Sequence, residues 1–169
     1  ALVRATTISS SGNYCLANDV TGDFVITTSC VYFDLNSHCV TGKITVQTSN
    51  DVVVANGHVN PAAPSSTNDA AQAAVTVAAT ANFAVLNNLT IACANTTATS
   101  RNGRAGINDA GNNTQILGCT ITSGGVDSTV AASATPGAGG SGVIFASDAT
   151  NCLIRNCVIQ NTGAGGLAT

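Results

Sequence analysis

The chain of 169 residues contains no Glu and no Met, and Lys43 is its only lysine. All eight acids are Asp, at positions 19, 23, 34, 51, 69, 109, 127 and 148, and the four arginines are Arg4, Arg101, Arg104 and Arg155. Only 8% of the residues are charged, against roughly 25% in an ordinary globular domain. Helix surfaces are normally built from Glu, Lys and Met, so their scarcity argues against a helical domain. Five cations in a chain of net charge −3 give no track for a phosphate backbone, and nucleic acid is not an expected partner. No apolar run approaches the length of a membrane span. No signal peptide is visible, which together with the missing Met reads as a mature form or a piece of a longer protein.

What is present is strand and turn material: Val, Ile, Thr, Asn, Ala, Gly and Ser. The abundance of Asn and Thr with little charge suits a secreted protein, or one on a cell or virion surface. The seven cysteines are an odd number, so pairing within the chain leaves at least one free. No cysteine spacing reads as a zinc site, and His38 and His58 stand apart, so no metal or cofactor is expected.

One segment recurs at NDVVVANGHV (50–59), NFAVLNNLTI (82–91), NTQILGCTI (113–121) and NCLIRNCVI (151–159), with a looser copy at VYFDLNSHCV (31–40). Aligned on the closing residues Val40, Val59, Ile91, Ile121 and Ile159, the copies are separated by 19, 32, 30 and 38 residues. Fixed columns at variable spacing describe a solenoid with insertions in most turns. Five before the close stand Leu35, Val54, Leu86, Ile116 and Ile154, and seven before it Phe33, Val52, Ala84, Thr114 and Cys152. Alternation along a strand points both columns inward. Three before the close, Ser37, Asn56, Asn88, Gly118 and Asn156 occupy a corner. Asn and Gly tolerate the left-handed conformation there, and Asn side chains can bond from one coil to the next. Two before it come His38, Gly57, Leu89, Cys119 and Cys157, with Cys119 over Cys157. The outward column six before the close reads Asp34, Val53, Val85, Gln115, Leu153, and that four before it Asn36, Ala55, Asn87, Leu117, Arg155. A second short strand precedes each copy: ITV (44–46), VTV (75–77), AGI (105–107) and VIF (143–145). The Ala-rich stretch 69–79 leaves room for a helical turn near 69–73.

These columns resemble the right-handed parallel β-helix superfamily that includes pectate lyases, polygalacturonases, phage tailspikes and surface proteins. The opening SGNYCLANDVTGDFVITTSCVYFDLNSHCVTG (11–42) resembles the first coils of such proteins, with Ser37 where the pattern has Gly. The resemblance implies an all-β, single-stranded right-handed parallel β-helix (β-solenoid) with about five coils between residues 31 and 169. Residues 1–169 would be one domain: a cap and first strands at 1–30, then coils of which the last is incomplete. The architecture hosts enzymes and fibres alike. Pectate-lyase-like sites resemble one another in holding Ca2+ with acids on neighbouring strands beside an Arg or Lys base. Neither outward column carries two acids on adjacent coils.

The best remaining polar cluster is Arg101, Arg104 and Asp109, read as one long turn that could grip an acidic sugar or, more plainly, as solvated turn residues. Cys15, Cys30 and Cys39 lie close together in the first coils, where a disulfide could pin the cap. Asn88, Asn95 and Asn112 begin glycosylation sequons. Asn95 and Asn112 are expected in accessible loops, and Asn88 in the ladder and inaccessible. The aliphatic residues Val53, Val85 and Leu153 on one outward column ask for cover. An incomplete last coil would present an open strand edge. The expected function is therefore a structural β-solenoid subunit that self-associates, laterally or end to end, in an extracellular filament, envelope layer or virion spike. The alternative is a carbohydrate-binding or carbohydrate-cleaving β-helix.

Overall fold

A computed structural model describes residues 1–61, 73–94, 104–124 and 140–161. Among these the regular structure is entirely β, without a helix. The chain opens with β1 (Thr7–Ile8), β2 (Gly12–Cys15) and β3 (Val20–Thr21), followed by β4 (Phe24–Ile26), β5 (Val31–Asp34) and β6 (Cys39–Thr41). Next come β7 (Ile44–Val46), the long β8 (Val52–Val59), β9 (Val75–Val77) and the long β10 (Val85–Ala92). The last are β11 (Ile107–Asp109), β12 (Gln115–Leu117), β13 (Thr120–Ser123), β14 (Val143–Phe145), β15 (Leu153–Arg155) and β16 (Val158–Asn161).

Every pairing is parallel, and each strand lies beside its counterpart in the neighbouring repeat. The first face is a six-stranded sheet in the order β1-β4-β7-β9-β11-β14. The second face runs β15-β12-β10-β8-β5-β2, and the third is built from β3, β6, β13 and β16 with the second halves of β8 and β10. This is the layout of a parallel β-solenoid: like residues stack at the strand spacing, ~4.8 Å, and no strand can satisfy its hydrogen bonds within its own repeat.

The core is the set of inward columns. On the first face, Phe24, Ile44, Val75 and Ile107 stack in register and are buried, as are Ile8, Ile26, Val46 and Val77. On the second, Phe33, Val54, Leu86 and Ile116 stack and are buried. Val20, Val40, Val59, Ile91 and Ile121 fill the third. Phe24 and Phe33 bring two faces together with ring centroids 4.9 Å apart.

Register within the loosest repeat differs from the sequence alignment. Val54 pairs with Phe33, not Leu35, and Val53 with Tyr32. The corner between β5 and β6 carries four residues, 35–38, where β8 passes with two, 56–57. Two successive left-handed residues, Asn36 (φ 51°) and Ser37 (φ 63°), make that wider corner, whereas Asn56, Asn88, Gly118 and Asn156 turn the later corners singly. The wider corner drives Leu35 inward. It is fully buried and lies where any side chain on Gly57 would overlap it. Gly57 is therefore a packing requirement, and His38, aligned with it by sequence, stays half-exposed on the outside.

A second shift concerns β11. The sequence places its strand at 105–107, but Ile107 pairs with Val75 and Asp109 with Val77. The strand lies two residues later, and this changes the meaning of Asp109. The Val75–Val77 strand itself falls where expected; residues 69–72 of the Ala-rich stretch lie outside the described part.

Candidate functional site on the outward columns

Alternation along the second face turns two columns outward, of which one is mostly apolar. It reads Asn13, Tyr32, Val53, Val85, Gln115, Leu153 by strand register. Tyr32 is 39% exposed and Leu153 46%, with Val53 and Val85 half-buried between neighbours. Correcting the β5 register moves Asp34 out of this column and Tyr32 into it. The apolar strip is longer than the sequence alignment indicates. Phe83, two residues before Val85, adds an exposed ring at φ 56°.

The proposed Arg101, Arg104 and Asp109 cluster does not assemble on the surface. Asp109 occupies the inward column between Val77 and Phe145 and is 0% exposed. Its Oδ1 accepts hydrogen bonds from the Gly111 amide (2.9 Å) and the Thr114 hydroxyl (3.0 Å). Its Oδ2 is buried with no hydrogen-bond partner. Burial raises its pKa above the ordinary carboxylate range, against the lowering effect of the Gly111 amide, the Cys152 thiol and Thr114. The Cys152 thiol lies near enough to act on the carboxyl, yet its Sγ is directed at the Gly111 and Thr150 carbonyls, which leaves Oδ2 unbonded. Arg104 is likewise buried, with its charge near the Cys93 thiol. Arg101 lies outside the described residues. A carboxylate sealed in the core cannot meet a sugar, and the two-residue shift of β11 is the reason.

Of the expected corner ladder, Asn56 and Asn88 are bonded to each other, and Gly118 stands between Asn88 and Asn156. Asn88 Nδ2 donates to Asn56 Oδ1 (3.1 Å), and Asn56 Nδ2 donates to Asp34 Oδ1 (3.3 Å). Asn88 is nevertheless exposed, not inaccessible, because the ladder runs along the outside of the corner. A second ladder runs along another corner. Asn50, Asn82, Asn112 and Thr150 form successive parallel bridges, with Asn82 Nδ2 donating to Asn50 Oδ1 (3.1 Å) and Thr150 Oγ1 donating to Asn112 Oδ1 (2.6 Å). Its signal is an Asn nine residues before Val59, Ile91 and Ile121. Asn112 is thus a ladder member and not a free loop residue, while Asn95 lies outside the described residues.

All seven cysteines are free thiols. Cys15 faces out from β2, Cys39 lies on β6 of the third face, and Cys30 is at the corner before β5, so the proposed cap disulfide is not formed. Cys119 is buried above Cys157, whose sulfur accepts the Cys119 amide (3.3 Å). Desolvation pushes the Cys119 thiol up to about 11, and that of Cys93 likewise.

The third face carries polar groups that lie far apart in the sequence. Cys39 and His58 are register partners on β6 and β8. Asp19, just before β3, accepts the Cys39 amide at Oδ1 (2.9 Å) and lies 3.3 Å from His38 Nδ1. The Cys39 amide, assisted by His38 and His58, holds the Asp19 carboxyl below its ordinary range. Among the described residues no group of three His, Cys, Asp or Glu side chains could hold a metal ion, and no helix is long and apolar enough to cross a membrane. No family model matches the chain, and no curated protein or solved structure matches it.

Proposed function

We propose that the chain is a right-handed parallel β-solenoid that acts as a structural scaffold outside the cell or on a virion surface, associating laterally with copies of itself. Six strands on the first face among the described residues support a repeated coil. Right-handedness is the hand that crossovers between parallel strands take in nearly all folds. The observation that carries the functional reading is the outward column Tyr32, Val53, Val85 and Leu153, interrupted only by Gln115. A largely apolar strip on a weakly charged face is the kind of surface that another chain covers. A second copy presents the same strip, and a two-fold arrangement lets each cover the other. The stacked Asn, Val and Ile columns supply rigidity, which is what a scaffold requires.

The test is light scattering with negative-stain imaging of the purified chain over a wide concentration range. Dimers or larger assemblies that grow with concentration support the reading. A particle that stays monomeric at every concentration overturns it.

A further inference from the structure

The sequence holds two Asn-Gly pairs, Asn56-Gly57 and Asn102-Gly103, and the second lies outside the described residues. Asparagine loses its side-chain amide most easily when Gly follows, because no side chain then shields the next backbone nitrogen. At the corner of β8 the fold asks for both residues. Position 56 turns at φ 59°, a conformation that Asn and Gly adopt at little cost, and its side chain carries the ladder. Asn56 Nδ2 donates to Asp34 Oδ1 (3.3 Å), and Asn56 Oδ1 accepts from Asn88 Nδ2 (3.1 Å). Position 57 has no room for a Cβ, which would overlap the Leu35 side chain and crowd the His38 carbonyl. Ladder and packing together thus fix a labile pair at a structural corner.

We propose that Asn56-Gly57 is a latent deamidation site, held closed by the folded corner and opened only when that corner unfolds. In the reaction the Gly57 nitrogen gives its proton to a base such as hydroxide and attacks Asn56 Cγ. The Cγ–Nδ2 bond breaks, ammonia leaves, and a cyclic imide forms. Water then opens the imide at either carbonyl, giving aspartate or an isoaspartate whose main chain runs through Cγ. Ring closure needs the Gly57 nitrogen and Asn56 Cβ eclipsed about the Cα–C bond. Left-handed backbone, with ψ of about +47°, sets them nearly opposite each other. The hydrogen bonds to Asp34 and Asn88 keep the side-chain amide from turning. Neither product suits the corner. Aspartate puts a carboxylate oxygen where Nδ2 was, beside Asp34 Oδ1, and like charges then repel where a hydrogen bond had held. Isoaspartate adds a backbone atom to a corner that β8 passes with two residues, 56–57, and displaces His58 and Val59 from Cys39 and Val40. The pair therefore makes prolonged unfolding of this corner irreversible.

The experiment is peptide mapping by mass spectrometry of the full chain held at mildly alkaline pH, either folded in buffer or unfolded in denaturant. A group that reacts only in an open state reacts in proportion to that state's population, so Asn56 should convert at least about tenfold more slowly in the folded chain. Chain aged in denaturant is then returned to buffer and separated by size exclusion. The fraction that regains the circular dichroism of fresh chain should be depleted of converted residue 56, and the misfolded fraction enriched in it. Asn56→Gly keeps the left-handed corner and removes the reactive amide. Carried through the same ageing, it should lose less of its refolding yield than the parent chain. Equal conversion rates in the folded and unfolded chain overturn the proposal. So does a refolded fraction that carries as much isoaspartate at position 56 as the misfolded one, or an Asn56→Gly chain that loses as much refolding yield as the parent.

Discussion

Asp109 holds a carboxyl inside an aliphatic column, with one oxygen satisfied by Gly111 and Thr114 and the other bonded to nothing. Its pKa is raised by desolvation. A carboxyl whose folded pKa exceeds its unfolded value binds a proton more tightly in the folded state. Stability is then greatest in acid and falls as pH climbs through the folded pKa. Asp109→Asn keeps an acceptor for Gly111 and Thr114 and removes the charge. It should stabilise the chain at neutral pH by about 1 kcal/mol or more, with the advantage vanishing in acid. Chemical denaturation of both proteins across pH measures the difference; a gap that does not change with pH contradicts it. Phe83 makes the same kind of point about the backbone. It occupies the left-handed corner that Asp51, Asn113 and Asn151 occupy in other repeats, a conformation costing a bulky residue about 1 kcal/mol. Phe83→Asn should raise the melting temperature, and a fall would show that the exposed ring contributes more than its strain removes.

At the scale of elements, corners set the register. Asn56 does two things at its corner: it adopts φ 59° and it bonds to Asn88 and Asp34. Asn56→Gly removes only the bonds and should cost about 1 kcal/mol, while Asn56→Ala adds a left-handed penalty of roughly another 1 kcal/mol. Equal losses in thermal unfolding would mean that backbone strain plays no part. Most strands were legible because Val, Ile and Leu alternate around a recognisable Asn or Gly turn. Errors arose where the corner length changed. The wide turn at Leu35–His38 looks, residue by residue, like the others, and only pairing reveals that it holds two more residues. In the same way Ala105-Gly106-Ile107 resembles a strand, but the column demands Ile107 at its start and Asp109 at its end. Asp109 was readable as a surface acid, since nothing local marks a carboxylate as buried. The Asn50–Asn82–Asn112 ladder was legible in principle, and the juxtaposition of Asp19, Cys39 and His58 was not legible until strands were paired.

For the whole molecule, the apolar column gives association a specific address. Val53→Asp with Val85→Asp places two charges in the middle of the strip and leaves the inward columns untouched. Sedimentation velocity should show concentration-dependent association for the parent chain and a monomer for the double variant, with unchanged far-ultraviolet circular dichroism. Association that persists in the double variant would move the interface elsewhere.

The strip and the ladders depend on one property, the one-turn register. Interstrand nuclear Overhauser effects test it directly, and Thr90 is the best reporter because its partners are far away in sequence. The register predicts cross-peaks from Thr90 to His58 and to Thr120, its parallel neighbours on either side. Contacts from Thr90 to residues at other heights, or antiparallel patterns confined to adjacent segments, would contradict the solenoid and everything built on it.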